Sequence, residues 1–204
     1  MTASDPLALN RATIAGYDAS AASYAAETDH APTADHREAL NALIASVGPA
    51  GRVLEVGSGP GWDADRLEAA GLNVRRTDLS EGFIAVQQER GHTVHRLDLI
   101  ADDPGGPWDG LVALYVIQHI GRALVDGVIG RIAQALRPGG TLLMSYQEGE
   151  GEHVSVDAEG SYQVVRWREA EMADCLARNG LVIEKSWLFH GREADWITVI
   201  ARRS

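Results

Sequence analysis

A chain of 204 residues, 45% hydrophobic and 23% charged, holds one full-sized domain with a core and is too short for two comfortable ones. Its 29 acidic against 18 basic residues leave a formal charge of −11, which repels a phosphate backbone and argues against nucleic acid as a partner. A single cysteine, Cys175, excludes an intramolecular disulfide and a cysteine-based metal cluster, and the absence of a basic leader or a long apolar run predicts a soluble, cytoplasmic protein away from membranes.

Residues 1–9 read as untethered, and the chain is alanine-rich to about Ser46. Two helices are predicted there, Ile14 to Ala26 and Asp35 to Val47. The second carries an apolar stripe at Leu40, Leu43, Ile44 and Val47 and stops at Gly48-Pro49. The first has a weakly hydrophobic face of Ile14, Tyr17, Tyr24 and alanines, which suits either a frayed helix on the sheet edge or a lid hinged at Thr28 to His36. The reading therefore divides the chain into a helical segment, 1–46, and a body, 47–204.

The body opens with R-V-L-E-V-G-S-G-P-G-W, Arg52 to Trp62: a short apolar strand, a loop with Gly57, Gly59 and Gly61, and a helix. Glycines remove the Cβ atoms that keep a ligand off the backbone, so three in five residues point to a nucleotide-like ligand. A dinucleotide fingerprint begun at Gly57 needs glycine where Trp62 stands, and the G-K-[ST] of a phosphate loop is absent. After the helix Trp62 to Ala70, the strand Val74 to Thr77 ends at Asp78, 21 positions beyond Gly57. There its two carboxylate oxygens can accept from both hydroxyls of a ribose. Ser80 caps a helix Glu81 to Arg90, and a third strand, Thr93 to Leu97, runs into Asp98 and Leu99.

Residues 110–116 are almost continuously apolar, as a central strand covered on both faces should be, so Tyr115 to His119 is predicted at the carboxyl edge of the sheet. His119 is the histidine best placed for chemistry, although a histidine at this turn equally suits holding the loop through a backbone carbonyl. Next come a helix Arg122 to Leu136 with Leu124, Val128, Ile132 and Leu136 inward, and a strand Thr141 to Tyr146. Residues 147–167 read as an inserted hairpin with Glu148, Glu150 and Glu152 before it, either a solvated hairpin or a negatively charged substrate flap. Cys175 lies inward with Met172 and Leu176 on the helix Arg168 to Arg178. The last two strands, Leu181 to His190 and Trp196 to Ala201, are joined too tightly for a crossover and must pair antiparallel. Seven histidines without helical H-x-x-x-H spacing suggest no metal.

The segment V-L-E-V-G-S-G-P-G, with L-R-P-G-G-T-L-L-M-S further on and Tyr17, Asp18, Ala21 and Tyr24 as Y-D-x-x-A-x-x-Y, resembles the class I S-adenosylmethionine-dependent methyltransferases over roughly residues 50–203. The resemblance implies an α/β fold, doubly wound, with a mostly parallel seven-stranded sheet and an antiparallel C-terminal edge hairpin. It implies S-adenosylmethionine as cofactor, cradled by Glu55, Gly57, Ser58, Gly59, Gly61, Asp78, Leu79, Asp98 and Leu99, with Asp98 on the adenine amino group. Tyr17, Tyr24 and Tyr115 would line its methionine end. The expected reaction is methyl transfer to a small-molecule acceptor, with His119 first, then His153 and His190, as candidate bases if one is needed. The alternative is a regulatory protein that binds the cofactor or its demethylated product without turnover. An aminopropyltransferase is disfavoured because Y-V-I-Q-H-I carries no aspartate cluster. A monomer or homodimer is expected.

Overall fold

Alternation of apolar residues decides the layers. In the computed structural model, which describes residues 5–28, 33–156, 160–191 and 194–204, one mixed sheet separates two hydrophobic cores. Its parallel half comprises β1 (Arg52–Val56), β2 (Asn73–Asp78), β3 (Val94–Arg96), β4 (Trp108–Ala113) and β5 (Leu136–Glu148). In β1 Leu54 faces one core and Val53 the other; Leu111 and Val112 of β4 divide likewise, as do Leu142 and Leu143 of β5. The strands stand in the order β3-β2-β1-β4-β5.

Helices cover both faces. The N-terminal pair is α1 (Pro6–Glu27) and α2 (Ala34–Val47); α3 (Trp62–Ala69) follows β1, α4 (Glu81–Glu89) follows β2, and α5 (Arg122–Ala135) follows β4. Beyond β5 come the hairpin β6 (Glu152–Val156) and β7 (Ser161–Trp167), then α6 (Glu169–Arg178), β8 (Leu181–His190) and β9 (Asp195–Arg203). The expected antiparallel C-terminal pair is there, with β9 inserted between β5 and β8, so the reversed strand lies inside and β8 takes the edge. The 147–167 insertion joins the sheet: β7 pairs parallel with the last residues of β5, Gln147 and Glu148, which brings the strand total among the described residues to nine. The predicted turn of that hairpin lies partly outside the described residues, as do part of the hinge after Thr28 and part of the β8–β9 connection.

Several predicted boundaries move. Residues 6–9 are helical, because Asp5 caps α1 by accepting from the Leu7 amide and Pro6 occupies a first-turn position where its missing N–H costs nothing. Apolar periodicity hides this start, since the buried face of α1 is Asn10, Thr13, Gly16, Ser20 and Ala21. Helix α5 ends at Ala135, and Leu136 passes into β5 opposite Trp108; Val125 and Ile129 fill the inward places, leaving Leu124 half-buried. Strand β4 ends at Ala113, short of the predicted limit, and Tyr115 takes a left-handed φ of 59° with its amide donating to Ser145 Oγ. Cys175 is buried as expected, and burial raises its thiol to about 11. Among the described residues no helix is long and apolar enough to cross a membrane.

Candidate active site

The carboxyl ends of β1, β2 and β4 open into a cavity of about 410 Å³, roofed by α1 and α2. Of the residues expected at the site, Tyr17, Tyr24, Glu55, Gly57, Ser58, Gly59, Asp78, Leu79, Asp98, Leu99, Tyr115 and His119 all line it. Gly61 does not. At Gly59, with φ +53°, a Cβ would meet nothing within 4 Å, so the bare backbone faces open space. At Gly61 a Cβ would stand 2.5 Å from Gln87 Oε1 and 2.8 Å from Arg76 Nη1, so this glycine serves the packing of α3 on β2 and α4.

Charge at the cavity is set by burial. Glu55 is 3% exposed and its Oε2 has no hydrogen-bond partner among the described residues. Burial, and then the charge of Asp63, raise this carboxyl well above the ordinary range against the pull of Arg76. Asp78 is raised to about 6 by burial, opposed by amide bonds from Ser80, Gly59 and Leu79. Its Oδ2 accepts from Gly59 at 2.8 Å and its Oδ1 from Ser80 at 2.9 Å, so it braces the glycine loop against the start of α4. The acceptor capacity that these amides leave on the carboxylate remains for a ligand hydroxyl. Ser80 is the helix cap, as predicted. Asp98 accepts the Ile100 amide at 2.9 Å, while Leu79 and Leu99 lend apolar surface.

His119 sits on the 3-10 turn Ile117–His119, with both ring nitrogens engaged. Nδ1 is 2.7 Å from the Gln163 carbonyl, which only accepts, so the proton is on Nδ1. Nε2 then accepts from the Tyr17 hydroxyl at 2.8 Å, with Gln118 Nε2 at 3.0 Å. Burial lowers this imidazole to about 4, against the Gln163 bond. Tyr17 also sits edge-on to Tyr162 of β7. Helix α1 is latched at the same place: Asn10 donates to the His119 carbonyl, and Thr13 Oγ1 receives the Gln163 amide at 2.8 Å.

The hairpin buttresses α1, and among the described residues none of 147–167 lines the cavity. Its acids look elsewhere: Glu150 pairs with Arg168, and Glu152 accepts from the Arg122 amide and Gln163 Nε2. His153 is exposed on β6, and His190 pairs with Asp195; neither lines the cavity. Side chains missed by sequence reasoning include His36, Asp63 and Arg66, which line the cavity from α2 and α3. The one local signal was their position, Asp63 and Arg66 one turn apart at the start of a helix leaving the glycine loop. Asp65, Glu68 and His92 also converge, their ligand atoms within 4.8 Å, but Arg76 pairs with both acids and Arg90 with Asp65.

A glycine loop at the end of β1, an acid closing β2 and a reversed β9 between β5 and β8 together form an arrangement that the dinucleotide-binding fold lacks. Residues 24–193 match the family model described as a methyltransferase domain. The chain belongs to the methyltransferase-domain family. The chain is 29% identical over 122 residues to a ubiquinone biosynthesis O-methyltransferase of Bradyrhizobium sp., covering 57% of this chain and 47% of that protein. A Xylella fastidiosa protein of the same name is 29% identical over 156 residues, 65% of this chain and 61% of its own. The chain thus spans about half to three-fifths of the length of these curated relatives. In fold it is similar to the Burkholderia thailandensis 1,6-didemethyltoxoflavin-N1-methyltransferase, solved with 1,6-didemethyltoxoflavin and S-adenosylhomocysteine, at TM-score 0.77 and 21% identity over 100% of this chain and 92% of that one. The Synechocystis magnesium protoporphyrin IX methyltransferase with bound S-adenosylmethionine gives TM-score 0.73 and 19% identity over 100% of both chains.

Proposed function

We propose that this methyltransferase transfers the methyl group of S-adenosylmethionine to a small-molecule acceptor by in-line displacement. The observation that carries the reading is the orphaned carboxyl of Glu55, buried at the cavity wall beside the open backbone of Gly59. A buried acid without a partner costs stability unless a ligand cation meets it, and an α-ammonium does so. Asp78 accepts ribose hydroxyls, Asp98 accepts from the adenine amino group, and Leu79 and Leu99 cover the ring. When bound, the cofactor supplies an electrophilic methyl on a sulfonium, so positioning supplies most of the catalysis.

Tyr17, Tyr24 and Tyr115 line the methionine end, and the segment 1–46 serves as a lid. His119 acts as a positioning residue in this reading: its lone pair is taken by Tyr17, so it fixes the tyrosine against the cavity and ties the lid to β7. The acceptor binds under α1 and α2. Glu55, Asp63 and Asp78 at the cavity, within a chain of charge −11, support a small molecule over nucleic acid.

Calorimetric titration with S-adenosylmethionine, S-adenosylhomocysteine and NAD tests the reading. Micromolar binding of the two sulfur compounds and none of NAD is expected. Asp78→Ala should weaken the cofactor by about 10- to 100-fold, the value of one hydrogen bond to a charged group. Folded protein that binds neither sulfur compound overturns the proposal.

A further inference from the structure

We propose that His36, oriented by Asp63, is the catalytic base, and that the acceptor it serves carries a phenolic hydroxyl; the inference rests on the methyl-transfer reading. His36 Nε2 lies 2.8 Å from Asp63 Oδ1. A carboxylate oxygen only accepts, so in the neutral ring the proton is on Nε2 and the lone pair on Nδ1. That nitrogen has no hydrogen-bond partner among the described residues, and the imidazole lines the cavity. His119, the other imidazole at the wall among the described residues, has its lone pair filled by Tyr17 and sits in a buried setting that resists protonation. Of the two, only His36 is arranged as a base with a carboxylate behind it, the arrangement that holds an imidazole in one tautomer and steadies the cation it becomes.

The surroundings select the acceptor. The Tyr115 ring lies 9° from parallel to His36, centroids 6.1 Å apart, and packs in a T-shaped pair with Trp196, centroids 4.9 Å apart. Tyr115 is held there in a left-handed conformation at the end of β4, a strained placement for a bulky residue. With Tyr24 also on the cavity, this wall offers aromatic faces to a planar ring. Acidity points the same way. A phenol, with a pKa of about 10, is close enough to imidazole for efficient proton transfer, whereas an aliphatic alcohol is many orders of magnitude weaker as an acid. In the step, His36 Nδ1 takes the hydroxyl proton and the acceptor oxygen bonds to the methyl carbon. The carbon–sulfur bond breaks with its electron pair left on sulfur, so the sulfonium becomes a neutral thioether, and the proton on His36 passes to water.

The test uses 4-nitrophenol, whose visible absorbance reports its ionisation, bound to the protein saturated with S-adenosylhomocysteine. The phenolate fraction of the bound dye should drop in His36→Gln, which keeps a donor toward Asp63 but is no base. In turnover with S-adenosylmethionine, His36→Gln should lower kcat for unsubstituted phenol by about 10²- to 10⁴-fold. It should lower kcat far less for 4-nitrophenol above its pKa, with cofactor affinity unchanged; imidazole should partly restore His36→Ala. Equal losses for both phenols, wild-type rates in His36→Gln, or a dye spectrum indifferent to the substitution overturn the assignment. Wild-type protein that binds the cofactor but methylates no phenol overturns it while leaving the methyl-transfer reading in place, and failure to bind the cofactor overturns both.

Discussion

Gly59 and Gly61 stand two residues apart and answer to different neighbours. Alanine at 59 meets no protein atom, so its structural cost is the left-handed backbone alone, about 1–2 kcal/mol, while its methyl projects into the space a ligand would use. Alanine at 61 runs into Gln87 and Arg76 as well as the same backbone penalty, away from the cavity. Gly59→Ala is therefore expected to lose most cofactor affinity at a modest drop in Tm, and Gly61→Ala to lower Tm further while folded molecules still bind. Paired calorimetry and thermal melts check this, and a Gly61→Ala protein with intact stability but no binding contradicts it. All three glycines were legible as a motif. Their separate duties were not, because local spacing does not say which glycine faces a helix and which faces a ligand.

Helix α1 illustrates how an element can be held without an apolar stripe. Its buried face is polar and small, and Thr13, Asn10 and Tyr17 fasten it to Gln163 and His119. Thr13→Val keeps the shape but removes the acceptor of the buried Gln163 amide, at a cost of about 1–3 kcal/mol. Hydrogen exchange at the Gln163 amide should quicken, with the core strands unchanged. Should that amide stay protected in the variant, the latch is not what holds α1. Sequence periodicity found α2, whose Leu40 and Leu43 are buried, and misplaced the start of α1, whose bonds reach partners about 110 to 150 residues away.

For the whole molecule, two buried groups pull the pH dependence of stability in opposite directions. Asp78 rises from 3.8 to about 6 on folding, so the folded state holds a proton the unfolded state releases, and the stability this contributes fades as pH climbs through that window. His119 falls from 6.5 to about 4, so the unfolded state holds the extra proton, and stability is lost as pH drops from 6.5 toward 4. Each effect amounts to about 3 kcal/mol across its window. Relative to wild type, Asp78→Asn should gain stability as pH rises from about 4 to 6, and His119→Gln should lose it. Urea unfolding at several pH values reads both slopes, and a reversed sign for either means that burial does not govern that group.

Local order fixed what the sequence alone determines. A glycine loop after an apolar strand, an acid closing the next strand and two strands too close for a crossover specify the β1–α3 turn, Asp78 and the reversed β9, because each is settled by steric and pairing rules within a few residues. Tertiary structure alone decided that Tyr115 turns left-handed, that Gly61 packs instead of lining the cavity, that His119 spends its lone pair on Tyr17, and that His36 meets Asp63. Those outcomes depend on partners brought together from distant elements, where burial and hydrogen bonding outweigh local preference. No pattern along the chain reveals whether a histidine's lone pair is taken or left open.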